Sequence, residues 1–225
     1  MNFFRLDPDS VVARVRASSA RTPAPSLVHS ILFGGTGFGV VAVGVFATVA
    51  FAERWAFEHL GRVGAYGAWA LLFTLAAGAV LSRVVIGPER VCRFYGLFGL
   101  AFFIYAGVWV GTYLSLPNKA GELLASVLGP SLLGTTLACG FEATNRIPRV
   151  ALVLSLAHAL GYFSGEMLYS NFDAPLGMLL WGVSYGVCYG SGIGYALFTC
   201  QAPARERLER ISQSGANAAA SVTRS

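Results

Sequence analysis

The sequence predicts an all-α integral membrane protein, a helix bundle of six transmembrane helices with both termini in the cytoplasm. Three observations predict it. First, charged residues are only 12% of the 225, hydrophobic residues reach 55%, and mean hydropathy is +0.61; a soluble domain usually carries about 25% charged residues. Second, six apolar stretches are long enough to cross about 30 Å of hydrocarbon, which takes roughly 20 residues. Third, the basic residues alternate between the connecting segments. With the N-terminus inside, the inner segments hold Arg5, Arg14, Arg16, Arg21, Arg83, Arg90, Arg93, Arg146, Arg149, Arg205, Arg207, Arg210 and Arg224, and the outer ones only Arg54, Arg62 and Lys119. Positive charge concentrates on the cytoplasmic side of membrane proteins.

Residues 1–29 form a cytoplasmic N-terminal segment. Asp7 suits a helix cap, Pro8 its first position and Asp9 its positive end. Two readings stand: an interfacial helix with Val11, Val12 and Val15 towards lipid, or an unstructured tail. No signal peptide is expected, because the first apolar run begins only near Ser30 and is itself long enough to span.

The transmembrane domain covers 30–200. Its predicted spans are Ser30–Ala52, Val63–Ile86, Phe94–Leu116, Leu123–Phe141, Pro148–Tyr169 and Pro175–Cys200. Glu53 and Arg54 close the first, Gly87-Pro88-Glu89-Arg90 the second and Pro117-Asn118-Lys119 the third. The fourth is the shortest and carries Gly129 and Pro130, which predict a break. Short loops make neighbouring helices antiparallel. Trp55, Trp69, Trp109 and Trp181 all fall in the outer half or at the outer surface, where amphipathic rings are favoured. Residues 201–225 form a cytoplasmic tail: a short charged helix over Arg205–Ile211, with Arg205–Glu209 and Glu206–Arg210 at i,i+4, then a disordered Ser/Ala-rich end.

Glycine gives the sharpest pattern. Gly182, Gly186, Gly190 and Gly194 recur every four residues, a glycine zipper on one stripe of the sixth helix. Missing side chains let another backbone approach closely, which is how membrane helices associate. Gly161 and Gly165 do the same on the fifth helix, Gly107 and Gly111 on the third, Gly35 and Gly39 on the first. The stripe predicts tight packing, inside one bundle or between copies.

The second pattern is polar. His158, Tyr162 and Glu166 lie at i, i+4 and i+8 on one side of the fifth helix. At about 1.5 Å per residue His158 sits about 15 Å in, near the midplane, while Glu166 reaches the outer boundary. An ionisable residue inside a span is a functional-site hypothesis by default. Antiparallel threading puts Tyr105, Thr135 and Tyr185 at the depth of His158. The expected site is therefore a midplane polar cluster of Tyr105, Thr135, His158 and Tyr185 lining a small polar cavity, with Glu166 as an outer acidic residue.

The sequence argues against several chemistries. Gly34-Gly35-Thr36-Gly37-Phe38-Gly39 is similar to a potassium-channel filter, but its spacing is one residue short and it lies within an ordinary span. Ala157-His158-Ala159-Leu160-Gly161-Tyr162-Phe163-Ser164-Gly165 resembles the helix that carries the base in rhomboid intramembrane proteases. That chemistry also needs a serine nucleophile in a GxSG setting, and Gly129-Pro130-Ser131-Leu132 lacks the second glycine. Cys92, Cys139, Cys188 and Cys200 form no CxxC pair and no zinc spacing. No two of His29, His59 and His158 share a span or a depth, so bis-histidine haem is not expected, while a single pigment on His158 stays open. No cofactor, metal site or catalytic residue is read from the sequence. The net charge of +5 follows topology, not a basic face, which argues against nucleic acid. Expected partners are the lipid bilayer and a membrane-protein partner or second copy of the chain. Two functions remain: an accessory or structural membrane subunit, or a small channel or transporter built on the His158 cluster. A bacterial-type inner membrane is the expected location.

Overall fold

The computed structural model describes residues 3–18, 24–116 and 118–222; among them there is no strand, and helix dominates. The helices are α1 (Pro8–Ala17), α2 (Leu27–Leu81), α3 (Arg90–Ser115), α4 (Lys119–Gly140), α5 (Ile147–Asn171), α6 (Ala174–Cys200) and α7 (Ala202–Val222). Single 3₁₀ turns, Ser82–Val84 and Thr144–Arg146, follow α2 and precede α5. Among the described residues five helices are long and apolar enough to cross a membrane, α2 being by far the longest.

A straight helix of α2's 55 residues would reach about 80 Å, far beyond a bilayer. It is not straight. Gly61 has φ 67° and ψ 173°, a conformation only glycine adopts without strain. There the chain turns back. Phe38 and Phe73, which a straight helix would hold about 50 Å apart, stack with ring centroids at 5.6 Å. Nearer the turn, Phe57 and Trp69 meet edge to face at 5.8 Å. So α2 is a hairpin of two arms, 27–60 and 62–81. Glu53 and Arg54 do not end the first arm as their charge predicts. Arg54 Nε pairs with Glu58 at 2.8 Å, and the helix continues until glycine releases it. The expected break in the fourth span is also absent, since α4 runs through Pro130.

Caps set the helix starts. Asp7 accepts from Ser10 N–H at 2.8 Å, Ser26 from His29 N–H at 3.2 Å and Asn118 from Gly121 N–H at 3.1 Å.

The centre of the bundle is α6, packed against α2 on one side and α5 on the other. Its glycine stripe faces the first arm of α2. A Cβ on Gly182 would lie 2.9 Å from Phe46 Cβ, on Gly186 2.7 Å from Gly39 Cα, and on Gly190 2.5 Å from the Gly34 carbonyl oxygen; on Gly194 it would strike the Ser30 carbonyl. The two helices are thus in close antiparallel contact over about three turns. Gly161 backs onto α6 at Tyr185, and Gly165 receives the Trp181 ring. A Cβ on Gly107 or Gly111 of α3 would meet no atom of another element within 4 Å among the described residues.

One end of the bundle carries a collar. Val11 is 2% exposed and packs with Ile86 and Ala204, flanked by Val15 and Leu208. Val11 and Val15, expected to face lipid, therefore face α7 and the end of α2. The Arg207–Asp9 ion pair ties α7 to α1. Gln201 accepts from Ile86 N–H at 2.6 Å and donates to Val84 O at 3.1 Å and Leu197 O at 2.9 Å. Helix α7 extends past Ile211, where the charge pattern ends, to Val222; residues 223–225 of the tail expected to be disordered lie outside the described residues.

Candidate functional site: a buried His–Tyr–Tyr chain beneath an aromatic cavity

Three helices converge at the predicted midplane layer. From α3, Tyr105 Oη lies 2.9 Å from Nε2 of His158 on α5 and 2.8 Å from Oη of Tyr185 on α6. His158 is fully buried, and both tyrosines are under 10% exposed. Tight packing sets their positions: Gly129 of α4 lies against the Tyr105 ring, and Gly161 against the Tyr185 backbone.

The structure thus brings together Tyr105, His158 and Tyr185. Thr135 stands apart. Its hydroxyl donates to the Ser131 carbonyl at 2.8 Å, one turn back on α4. Two tyrosines join instead. Tyr162 stacks on the His158 ring, 5.9 Å between centroids and 9° between planes, and Tyr189 packs edge-on against it at 5.0 Å. Both stand four residues along a helix from a predicted member, which is the signal that points to them.

Glu166 lies outside this cluster. It pairs with Lys119, which also bonds Glu122 at 2.9 Å, so an exposed lysine ties α4 to α5. Ser131 Oγ lies 3.1 Å from Ser155 Oγ, whose other bond is to Val127 O, and has no bond to His158. A serine–histidine pair is therefore not built here. Among the described residues no three His, Cys, Asp or Glu side chains gather to hold a metal ion.

Above the chain is a cavity of about 210 Å³ between the α2 hairpin, α3, α5 and α6. Phe46, Tyr66, Trp69, Phe73, Phe102 and Trp109 form most of its wall, and Tyr105, His158, Tyr162 and Tyr185 its polar side. No charged residue lines it. The predicted polar cavity is thus an apolar, aromatic one with a small hydrogen-bonding patch. The patch is legible from depth along the helices; the rings that surround it are not.

Two polar atoms of the lining are buried without partners: Nδ1 of His158 and Nε1 of Trp109. Tyr189 Oη and Trp181 Nε1 are unpartnered beside them. Buried polar groups are almost always satisfied, because leaving one unmade costs about 1–3 kcal/mol. Of these four, His158 and Trp109 belong to the cavity wall, while Tyr189 and Trp181 pack behind it.

Comparison with family models, curated proteins and solved structures finds no match, so no activity is carried over from a relative.

Proposed function

We propose that this chain is a bacterial-type inner-membrane protein that holds a small, neutral, lipophilic molecule in the aromatic cavity beside His158. The observation that carries the reading is the pairing of an uncharged aromatic cavity with unpartnered buried donors and acceptors on its wall. Ligand sites are mostly apolar, with a few placed polar groups that fix orientation. A charged guest would need an ionic partner at that depth, and the lining supplies none.

In this reading the two arms of α2 each cross the bilayer, giving six spans with both termini in the cytoplasm. The hairpin at Gly61 and the 13-to-3 partition of basic residues support it. Reporter fusions at the two ends should both signal the cytoplasm; opposite sides would refute the topology.

The ligand site is tested on the full chain purified in detergent. Native mass spectrometry should find a neutral small molecule retained by wild type, or tetralin taken up at one per chain. Ala106 also lines the cavity, so Ala106→Phe, which pushes a ring into it, should abolish both. An empty wild type that takes up no tetralin would refute the reading.

A second reading, an accessory or structural subunit, draws on a different observation. Thr36, Gly39, Val40, Val43, Val183 and Val187 line an exposed apolar groove on the outside of α2 and α6. The glycine stripe itself is occupied by the first arm of the same chain. A partner would therefore meet the valines, and Val187→Trp should release it while Ala106→Phe should not.

A further inference from the structure

We infer, resting on the proposed ligand site, that the guest is an uncharged ring compound bearing a single ketone or hydroxyl oxygen, and that the site accepts either form. Size and wall composition set the ring. An apolar cavity of 150 Å³ takes benzene, so about 210 Å³ suits one substituted ring or a small fused pair. Aromatic walls favour a flat guest, through stacked and edge-to-face contacts.

The oxygen follows from the hydrogen-bond chain. Tyr105 Oη sits between His158 Nε2 and Tyr185 Oη and has one proton to give. Two orders of donation keep the Tyr105 proton within the chain when the imidazole is neutral. In the first, Tyr185 donates to Tyr105 and Tyr105 to His158 Nε2. The Tyr185 oxygen then has no free proton and can only accept from a guest. In the second, His158 Nε2–H donates to Tyr105 and Tyr105 to Tyr185. The Tyr185 hydroxyl is then free to donate to a guest.

Switching between the orders moves hydrogens and changes the imidazole tautomer, and no heavy atom shifts. A guest carbonyl, which only accepts, selects the second order; a guest hydroxyl can donate in the first or accept in the second. Nothing else bonds Tyr185 Oη, so its remaining capacity belongs to the cavity it lines.

The test uses three bicyclic probes of one shape: α-tetralone, α-tetralol and tetralin, titrated calorimetrically into the full chain in detergent. Wild type and Tyr185→Phe are compared probe by probe, so micelle partitioning cancels. One hydrogen bond corresponds to a loss of about fivefold. Tetralone and tetralol should each weaken by that factor in Tyr185→Phe, and tetralin should not change. Binding of all three unaffected by Tyr185→Phe would overturn the oxygen-reading role and leave the ligand site standing. Weakening of only one oxygenated probe would overturn the two-way donation. No binding of any probe to wild type would overturn the ligand site itself. The infrared carbonyl band of bound tetralone gives a measurement on wild type alone. It should fall below its position in empty micelles, and an unshifted band would overturn the proposal even if Tyr185→Phe does not fold.

Discussion

Replacing Gly190 by alanine adds one methyl group at the closest approach between α6 and the first arm of α2. That Cβ would lie 2.5 Å from the Gly34 carbonyl oxygen, 2.7 Å from Phe38 Cβ and 3.1 Å from the Gly34 carbonyl carbon. Ordinary contact begins near 3.4 Å, so the helices must separate by close to 1 Å. The opposing atoms are backbone and a Cβ, which no rotamer change can withdraw. Overpacking of this kind costs about 1–3 kcal/mol. Alanine returns up to about 1 kcal/mol through helix propensity. The net expectation is a loss of about 1–2 kcal/mol, read as a lower thermal midpoint in detergent. Gly44→Ala is the control, because nothing lies within 4 Å of that position; it should be neutral or slightly stabilising. Gly186→Ala faces the same gap, 2.7 Å from Gly39 Cα and from Ala42 Cβ. Once the arm has moved for one methyl, the second costs less, so the double variant should lose less than the sum of the singles. Gly190→Ala at or above wild-type stability would refute the close-packing argument.

Tyr105→Phe removes the hydroxyl that bonds both His158 and Tyr185; a loss of about 1–3 kcal/mol is expected in thermal unfolding, and an unchanged midpoint would show the chain to be energetically idle. Gln201→Leu deprives the buried Ile86 N–H of its acceptor, so the Ile86 amide should exchange with deuterium faster while α5 amides keep their protection. The collar should respond to acid. Burial raises the Asp7 carboxyl, but bonds from the Ser10 backbone and hydroxyl, its own backbone and the Arg14 charge outweigh it and hold it below the usual carboxylate range. With the folded pKa depressed, the Asp7 contribution is full above the ordinary value near 4 and is lost as pH falls through the lower folded value. Protection of α1 amides should therefore drop only below about pH 4, and Asp7→Asn should remove that pH dependence; a transition in α1 near neutrality would contradict the assignment.

What could be read from the sequence divides along one physical line. Depth is legible, because every helical residue advances about 1.5 Å. Tyr105, His158 and Tyr185, on three different helices, were matched by depth alone and do meet. Rotation about the helix axis is not legible from a single chain. Thr135 shares the predicted layer yet turns back to Ser131 on its own helix. Tyr189, one turn beyond Tyr185, faces the imidazole. The same line explains the ends of the elements. Charge at Glu53 and Arg54 suggests an exit from the bilayer, but an i,i+4 pair such as Arg54–Glu58 favours helix, so the first arm runs on until Gly61 permits a positive φ. Glycine periodicity is rotation made visible, since four residues nearly complete a turn. That is why the α6 stripe could be recognised as one face, and why only its partner, the first arm of α2, had to come from the structure. The cavity lay beyond such reasoning. It is a volume left between Trp69 and Phe73 on one arm and Phe102 and Trp109 on α3, and a space between rings has no signature in the order of the residues that bound it. The proposed ligand site rests on pairing that space with the unpartnered atoms of His158 and Trp109 on its wall, and rotation decides which atoms those are.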